Sequence, residues 1–261
     1  MLKKRLIGVV TVRKGWAVQS FGYNRYLPLG KPECVVENLD RWGADEILVQ
    51  VIDRSIEGIG PDYELLEKLA SLGLGTPLIY GGGIHSVEEG LRVIQCGADR
   101  MTVDSLLYDD LSEVRGLSEQ LGAQAIIASI PMTMGANGSE LFNYKFNTTA
   151  PFTKSLGEII DQGVVSEILL IDSLHEGMST SFDNSLVDLF PFKKVPLIVF
   201  GGISCAMQMT ELLSQQNVVA VAVGNFLNYR EHAIQKYKET LASAALRPSI
   251  YSTEYSLLTD D

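Results

Sequence analysis

The stretch PLIYGGGI at residues 77–84 decides the fold, because it returns 119 residues later as PLIVFGGI at residues 196–203. A second pair repeats at almost the same spacing, since EILV at residues 46–49 returns 121 residues later as EILL at residues 167–170. Both offsets are close to half of the 261-residue chain, which indicates two copies of one (β/α)4 unit. The sequence therefore predicts an α/β fold, a (β/α)8 TIM barrel built from two half-barrel repeats.

Eight short runs rich in β-branched apolar residues are the predicted strands. Their apolar positions are continuous rather than alternating, as expected for parallel strands covered by helices. Helical periodicity separates most runs; Ser86 and Glu89 form a capping box, and Gly73, Gly97 and Gly122 follow helices as C-caps. The predicted strands are Arg5–Val12, Glu46–Ile52, Pro77–Tyr80, Met101–Val103, Ala125–Ile130, Glu167–Ile171, Pro196–Phe200 and Val218–Val223.

The length of 261 residues predicts a single domain, because one such barrel typically takes about 250 residues. We expect residues 1–261 to form this domain, with a barrel core at about 5–241 and a polar tail at about 247–261. One long connection interrupts the pattern, where Asn137 and Gly138 can turn a small hairpin before the strand-like run Leu141–Phe146. We interpret this segment, Pro131–Pro151, as an elaborated loop after the fifth strand.

Charge and cysteine content limit the function classes. A net charge of −11 argues against nucleic-acid binding and favours a small-molecule ligand. Cys34, Cys96 and Cys205 form no CxxC pair, so we expect neither a disulfide framework nor a metal, and a reduced cytoplasmic environment. The apolar part of Met1–Val12 is too short for a signal peptide, so we read it as the first strand. No cofactor and no membrane contact are predicted.

The glycine loops predict phosphate binding. Loops at the carboxyl ends of barrel strands build the active site, and glycine lets backbone N–H groups approach an anion. Tight strand-to-helix turns are the alternative explanation. An ionised Asp104 beside the first loop would repel phosphate, so we expect the second loop to be the stronger site, unless Asp104 only caps a helix. The predicted phosphate-binding residues are Gly81, Gly82, Gly83, Ser105, Gly177, Gly201, Gly202, Gly224 and Asn225.

Seven segments, in order along the chain, resemble the cyclase subunit of imidazole glycerol phosphate synthase. This resemblance implies a barrel that accepts ammonia from a glutaminase docked at its amino-terminal face. In that family the ammonia converts a bis-phosphorylated ribonucleotide to imidazole glycerol phosphate and an aminoimidazole carboxamide ribotide. The segments are MLKKR at 1–5, GADE at 43–46, GGGI at 81–84, GADR at 97–100, QAI at 124–126, SEILL at 166–170 and GG at 201–202.

The same resemblance implies catalysis by two aspartates, at the ends of the first and fifth strands. This chain has Thr11 and Pro131 at those positions, and neither side chain can serve as an acid or base near neutral pH. Asp53, Asp104 and Asp172 are the candidate replacements, with Glu176, His85 and His175 nearby. Loop solvation and helix capping are the alternative roles for these acids.

At the opposite end of the barrel, the resemblance implies an ammonia gate made of Arg5, Glu46, Arg100 and Glu167, with arginine at 100 where lysine is usual. A salt-bridge cluster that closes the barrel is the alternative. Charges at the start of buried strands need partners of opposite sign, and these four could satisfy one another.

The chain thus keeps the features of a glutaminase-docking face and lacks the acids of the cyclase reaction. We predict a repurposed subunit that receives ammonia. Barrels resembling this cyclase, together with a glutaminase and an ATP-dependent sugar amidotransferase, are associated with amidation of bacterial surface sugars. There are two alternatives. The first is an active cyclase of histidine biosynthesis, which would be a lyase with unconventional acids. The second is a non-catalytic scaffold that binds a phosphorylated small molecule.

Overall fold

The computed structural model describes residues 3–135, 138–179, 182–229, 233–241 and 246. Its strands are β1 (Arg5–Arg13), β2 (Trp16–Phe21), β3 (Arg25–Gly30), β4 (Glu46–Val51), β5 (Leu78–Gly81), β6 (Arg100–Val103), β7 (Ile126–Gly135), β8 (Gly138–Asn143), β9 (Thr148–Ala150), β10 (Glu167–Asp172), β11 (Leu197–Phe200) and β12 (Val218–Val223). Its helices are α1 (Pro32–Arg41), α2 (Ile52–Glu57), α3 (Tyr63–Ala70), α4 (Val87–Gln95), α5 (Leu106–Asp109), α6 (Leu111–Leu121), α7 (Lys154–Asp161), α8 (Ser185–Leu189), α9 (Ala206–Ser214) and α10 (Ala233–Thr240).

Eight parallel strands close into a barrel in the order β1, β4, β5, β6, β7, β10, β11, β12, and β12 pairs again with β1. The predicted (β/α)8 barrel is therefore confirmed. Each predicted strand is present within one residue of its bounds, except that β7 continues to Gly135. That extension pairs antiparallel with β8, beyond the point where the barrel itself ends.

The barrel strands bury both of their faces, so their sequences read as continuous apolar runs. One face points outward to a large core shared with the helices, in which Leu66, Val93 and Met101 are fully buried. The other face fills the barrel with a separate apolar layer. This inner layer consists of Ile7, Val9, Leu48, Ile79, Ile127, Leu169, Ile171, Ile198, Phe200, Ala220 and Ala222.

The two half-barrels repeat in backbone conformation as well as in sequence. Gly82 has φ 127° and Gly201 has φ 112°, values that L side chains rarely adopt. A Cβ added to Gly82 would lie 2.2 Å from the carbonyl oxygen of Val51, at the end of β4. A Cβ added to Gly201 would lie 2.6 Å from the carbonyl oxygen of Asp172, at the end of β10. These two glycines are thus required by the same close approach of strand and turn in each half.

Two hairpins project from the carboxyl-terminal end of the barrel. The predicted turn after the fifth strand is a hairpin of β7 and β8, extended by β9; Asn137 lies outside the described residues. The second hairpin, β2–β3, was not expected from the sequence, and its strands pair antiparallel with each other and with the end of β1. Both hairpins reach the region where the predicted site lies.

The helix punctuation agrees with the sequence at α4, where the Ser86 side chain accepts a hydrogen bond from the Glu89 amide. The carboxylate of Glu89 accepts from the amide of His85, one residue before the N-cap. No helix in the described part of the chain is long and apolar enough to cross a membrane.

Candidate functional site at the barrel mouth

A cavity of about 390 Å³ opens at the carboxyl-terminal mouth of the barrel. Its floor is formed by inward-facing residues of four strands, Gln50, Gly81, Thr102 and Ser129. Its walls come from the turns that follow the strands of the first half-barrel and from both hairpins. The wall residues include Gly22, Tyr23, Asn24, Tyr26, Ser55, Gly82, Gly83, Asp104, Ser105, Tyr108, Asp109, Phe142, Asn143, Tyr144 and Lys145.

The two hairpins meet over this mouth through Tyr23 and Tyr144, whose ring centroids are 4.6 Å apart in an edge-to-face arrangement. The Tyr23 hydroxyl donates to Oε1 of Gln50 at 3.2 Å, and its ring packs on the inner apolar layer. Burial raises the pKa of both tyrosines, so both hydroxyls stay protonated at neutral pH. The hairpins therefore form one aromatic roof.

The second half of the mouth is occupied by side chains of the protein itself. Oε2 of Glu176, a nearly fully buried carboxylate, accepts from the Ser20 hydroxyl and the Tyr23 amide, each at 3.0 Å. Asn225 accepts from the Ser20 amide and donates to the carbonyls of Ser20 and Gly177. Burial raises the pKa of Glu176 despite the hydrogen bonds it receives. This network holds the β2–β3 hairpin onto the barrel.

The structure places both family catalytic positions at the inward-facing end of their strands. Thr11 is buried and lies beside Gln50 in the register of β1 and β4. Pro131 lies opposite Ile171 of β10. Both positions thus adjoin residues that line the cavity, but neither side chain can exchange a proton with a ligand there.

The backbone explains why a central strand tolerates Pro131. The carbonyls of Ile126 and Met132 both accept hydrogen bonds from the β10 side. Backbone polar groups of successive strand residues point to opposite sides, so the backbone nitrogen of residue 131 points towards β6. β6 ends at Val103, which pairs with Ala128. The missing N–H of proline therefore costs no hydrogen bond in the sheet.

The three candidate replacement acids have different surroundings. Oδ2 of Asp53 accepts from the amide of Lys14 at 2.8 Å, which fixes the turn before β2. Asp172 is almost fully buried; it lies 2.6 Å from Nδ1 of His175 and accepts from the amides of His175 and Asp183. Neither acid lines the cavity, whereas Asp104 does. Asp104 is therefore the one of the three that a ligand in the cavity would meet.

Burial raises the pKa of Asp104 to about 7, with a smaller contribution from the charge of Asp109. Asp104 also contributes to raising the pKa of Tyr108, although burial is the larger cause. A carboxyl that titrates near neutral pH can exist in either protonation state during a reaction.

The open space lies beside the first glycine loop, which the sequence predicts to be the weaker phosphate site. The lining includes Gly81, Gly82, Gly83 and Ser105, but none of Gly177, Gly201, Gly202, Gly224 and Asn225. In the second half, the Asn225 amide is committed to Ser20 and Gly177. Phosphate binding at either loop stays a prediction.

At the amino-terminal end of the barrel, the four predicted gate residues form a closed ring of alternating charge. Arg5 pairs with Glu46 at 2.8 Å and with Glu167. Arg100 pairs with Glu167 at 2.7 Å and with Glu46 at 3.4 Å. Burial opposes the charge of Arg5, but the two glutamates outweigh it and raise the pKa of its guanidinium.

Sequence reasoning missed the aromatic residues of the site. Tyr23, Tyr108 and Tyr144 all line the cavity, yet none carries a motif. The only signal for Tyr23 is the short run Trp16–Phe21 with aromatic and β-branched residues, followed by a turn at Gly22; it predicts a strand and a turn but not where the hairpin folds. No group of three or more metal-ligating side chains is present among the residues that the structure describes.

The closed barrel defines the chain as a (β/α)8 protein. Its mouth cavity lies at the carboxyl-terminal face, where TIM-barrel enzymes carry their active sites. Comparison with known proteins specifies the family. The model of the histidine biosynthesis protein family matches residues 5–233, so the chain belongs to that family.

Several curated relatives cover nearly the whole chain. The "Putative imidazole glycerol phosphate synthase subunit hisF3" of Vibrio vulnificus is 29% identical over 245 residues, covering 92% of this chain and 92% of that protein. The imidazole glycerol phosphate synthase subunit HisF of Natranaerobius thermophilus is 26% identical, covering 93% of this chain and 97% of that protein. HisF of Staphylococcus aureus is 26% identical, covering 94% and 99%. The chain is thus a divergent relative of the HisF subunits.

Proposed function

We propose that this chain is a divergent cyclase-like subunit that receives ammonia from a glutaminase partner and serves the amidation of a surface sugar instead of histidine biosynthesis. The observation that carries the proposal is the closed ring of Arg5, Glu46, Arg100 and Glu167. Relatives that cover nearly the whole chain are named as subunits of a synthase, which supports a role in a complex.

The inside of the barrel supports the ammonia role. Between the ring and the mouth lies the apolar inner layer, in which Ala220 and Ala222 are the smallest side chains. An apolar interior disfavours ammonium but not neutral ammonia, because transfer of a charge into such a medium is costly. A ring that opens at one end and a ligand site at the other would suit this role.

The mouth supports a departure from the family reaction. Loss of one general acid or base typically reduces a rate by about 10² to 10⁴, and neither Thr11 nor Pro131 can supply one. The cyclase reaction of histidine biosynthesis would therefore need another acid in the cavity.

The test is a reconstitution of this chain with a glutaminase, an ATP-dependent sugar amidotransferase, ATP and an acetamido sugar as acceptor. We expect Glu167→Ala to uncouple the two activities, so that glutamine hydrolysis continues while the yield of amidated product per glutamate falls about tenfold, an effect of the size seen for lost positioning contacts. Glu64→Ala is the matched control, because Glu64 is 81% exposed and pairs with Lys68 on the same helix. Unchanged coupling in Glu167→Ala would argue against a gate.

The same reconstitution tests the scaffold alternative. If the chain forms no complex with the glutaminase and leaves glutamine hydrolysis unchanged, the ammonia role is wrong and a non-catalytic scaffold is favoured. Soaking with inorganic phosphate and locating the bound ions tests the predicted phosphate loops independently of any partner.

A second candidate function is an active cyclase, and the observation that favours it is Asp104 in the cavity with a pKa of about 7. Turnover of the bis-phosphorylated ribonucleotide with ammonium salt at high pH, abolished in Asp104→Asn, would establish this candidate. Absence of turnover would leave the ammonia-receiving role as the better explanation.

A further inference from the structure

The charges around the mouth cavity do not suit a phosphate. Three charged side chains line it, Asp104, Asp109 and Lys145. Nζ of Lys145 lies 3.4 Å from a carboxylate oxygen of Asp109, so these two charges largely cancel. The charge that remains is the carboxylate of Asp104. Among the described residues, no arginine and no second lysine line this cavity.

Three of the backbone donors beside this cavity and at the start of α4 are already used. The amide of Gly83 donates to the Ser55 hydroxyl at 3.0 Å, and the amide of Val87 donates to Oε2 of Glu113 at 2.6 Å. The amide of His85 donates to Oε2 of Glu89 at 2.7 Å. The start of α4 is thus filled by two carboxylates of the protein, which occupy the position where an external anion would bind.

The half-barrel repeat provides an internal comparison. Gln208 stands 119 residues after Glu89, and its Oε1 accepts from the amide of Ser204, as Glu89 accepts from His85. The same contact is therefore made by a neutral amide in the second half and by a carboxylate in the first. At this position of the helix, only the first half carries a negative charge.

Aromatic rings form much of the remaining cavity wall. The rings of Tyr23, Tyr108, Phe142 and Tyr144 line it, and Tyr144 contacts both Tyr23 and Phe142 edge to face. Ring faces attract cations, and a carboxylate enclosed by such rings is a recurrent way to bind a protonated nitrogen group.

We propose that this cavity binds its ligand through a cationic nitrogen group, ammonium or amidinium, which pairs with the carboxylate of Asp104 under the aromatic roof. The charge preference stands on the cavity alone, whereas the choice between the two cations rests on the proposed function. Ammonium would form when neutral ammonia, delivered through the barrel, takes up a proton at the mouth. Amidinium would be the group that amidation of an acetamido sugar creates.

The test uses the purified full-length chain without a partner and measures binding of ammonium chloride, acetamidinium chloride and sodium phosphate by titration calorimetry at pH 8.5. We expect a cation to bind with 1:1 stoichiometry, and Asp104→Asn to weaken that binding about tenfold or more, as for loss of a charged hydrogen-bond partner. Tighter binding of acetamidinium would identify the ligand as an amidine. Tighter binding of ammonium would identify the ligand as the nitrogen that the barrel delivers.

Asp110→Asn is the matched control, because Asp110 caps α6 through the Ser112 amide, does not line the cavity, and asparagine caps equally well. We expect it to leave cation affinity unchanged, and thermal unfolding confirms that both variants fold. Binding of phosphate but of neither cation, or equal cation affinity in wild type and Asp104→Asn, would overturn the proposal. Because no glutaminase is present, such a failure is separate from a failure of ammonia transfer.

Discussion

Asp104 shows how one residue's surroundings decide its chemistry. The sequence places it after a barrel strand, where an ionised aspartate would be unremarkable. In the fold it lines a cavity walled by Tyr23, Tyr108 and Tyr144. Burial disfavours the charged form and the charge of Asp109 adds to this, so the pKa of the carboxyl is raised to about 7.

This raised pKa predicts a specific pH dependence of stability. Between the ordinary pKa of an aspartate and about 7, Asp104 is protonated in the folded state and ionised in the unfolded state. Its contribution to stability is therefore fully present at low pH and is lost as the pH rises through about 7. Asp104→Asn should remove the loss. The unfolding free energy of the variant, relative to that of wild type, should therefore rise by about 1 kcal/mol from pH 5.5 to pH 8.5. This value is smaller than the pKa shift alone would give, because the side chain is partly exposed and solvent screens its charge.

Urea unfolding of both proteins at the two pH values measures this difference. Asp110→Asn, on the exposed side of the same loop, controls for the general effect of removing one negative charge. If the difference in unfolding free energy between Asp104→Asn and wild type is the same at pH 5.5 and at pH 8.5, Asp104 titrates in its ordinary range.

At the scale of elements, the β2–β3 hairpin is the feature that shapes the site. The carboxamide of Asn225 makes two hydrogen bonds to Ser20 of the hairpin and a third to Gly177 in the turn beside it. The close fit at Gly177, whose added Cβ would lie 1.8 Å from the carbonyl oxygen of Ser20, shows how tightly the hairpin and this turn pack. Removing the carboxamide would leave buried backbone groups without partners.

Asn225→Ala should therefore destabilise the protein by about 2 kcal/mol and loosen the hairpin. Hydrogen exchange of the Ser20 amide, which donates to Asn225, should accelerate more than exchange in the central strand β4. Asn225→Asp keeps the acceptor but places a carboxylate against two carbonyl oxygens, so it should be at least as destabilising. Unchanged exchange at Ser20 would show that the hairpin is held by other contacts.

At the scale of the whole molecule, the two ends of the barrel are built differently. The amino-terminal end is closed by the charged ring, and the carboxyl-terminal end carries the hairpins and the cavity. The same amino-terminal end holds a buried ion pair between Lys238 of α10 and Asp45, 2.8 Å apart, and Asp45 also accepts from the amide of Leu6. The last helix is thus tied to the start of the first strand.

Lys238→Met should cost about 3 kcal/mol of unfolding free energy, because it leaves the carboxylate of Asp45 buried without its cation. Lys154→Met is the control, since Lys154 is 92% exposed and 4.0 Å from Glu158, and a pair of this kind contributes only a few tenths of a kcal/mol. Urea unfolding of both variants gives the comparison. A double variant with Asp45→Asn should recover part of the loss.

The sequence by itself determined the barrel, since strand and helix patterns are local and the repeat at half-length appears in the letters alone. It also placed Arg5, Glu46, Arg100 and Glu167 at one end, because residues that begin parallel strands share an edge. The sequence could not determine that these four side chains pair into a closed ring, because two arginines and two glutamates at one end of the barrel can form several different sets of ion pairs.

What only the tertiary structure decided is the content of the mouth. The hairpin β2–β3 comes from long-range packing, so the sequence could not show that Tyr23 meets Tyr144, or that Asn225 is used to hold Ser20. Nor could it separate Asp104, which faces a cavity, from Asp53 and Asp172, which bind backbone amides. The environment of a side chain depends on segments distant in the chain, and that environment sets its pKa and its access to a ligand.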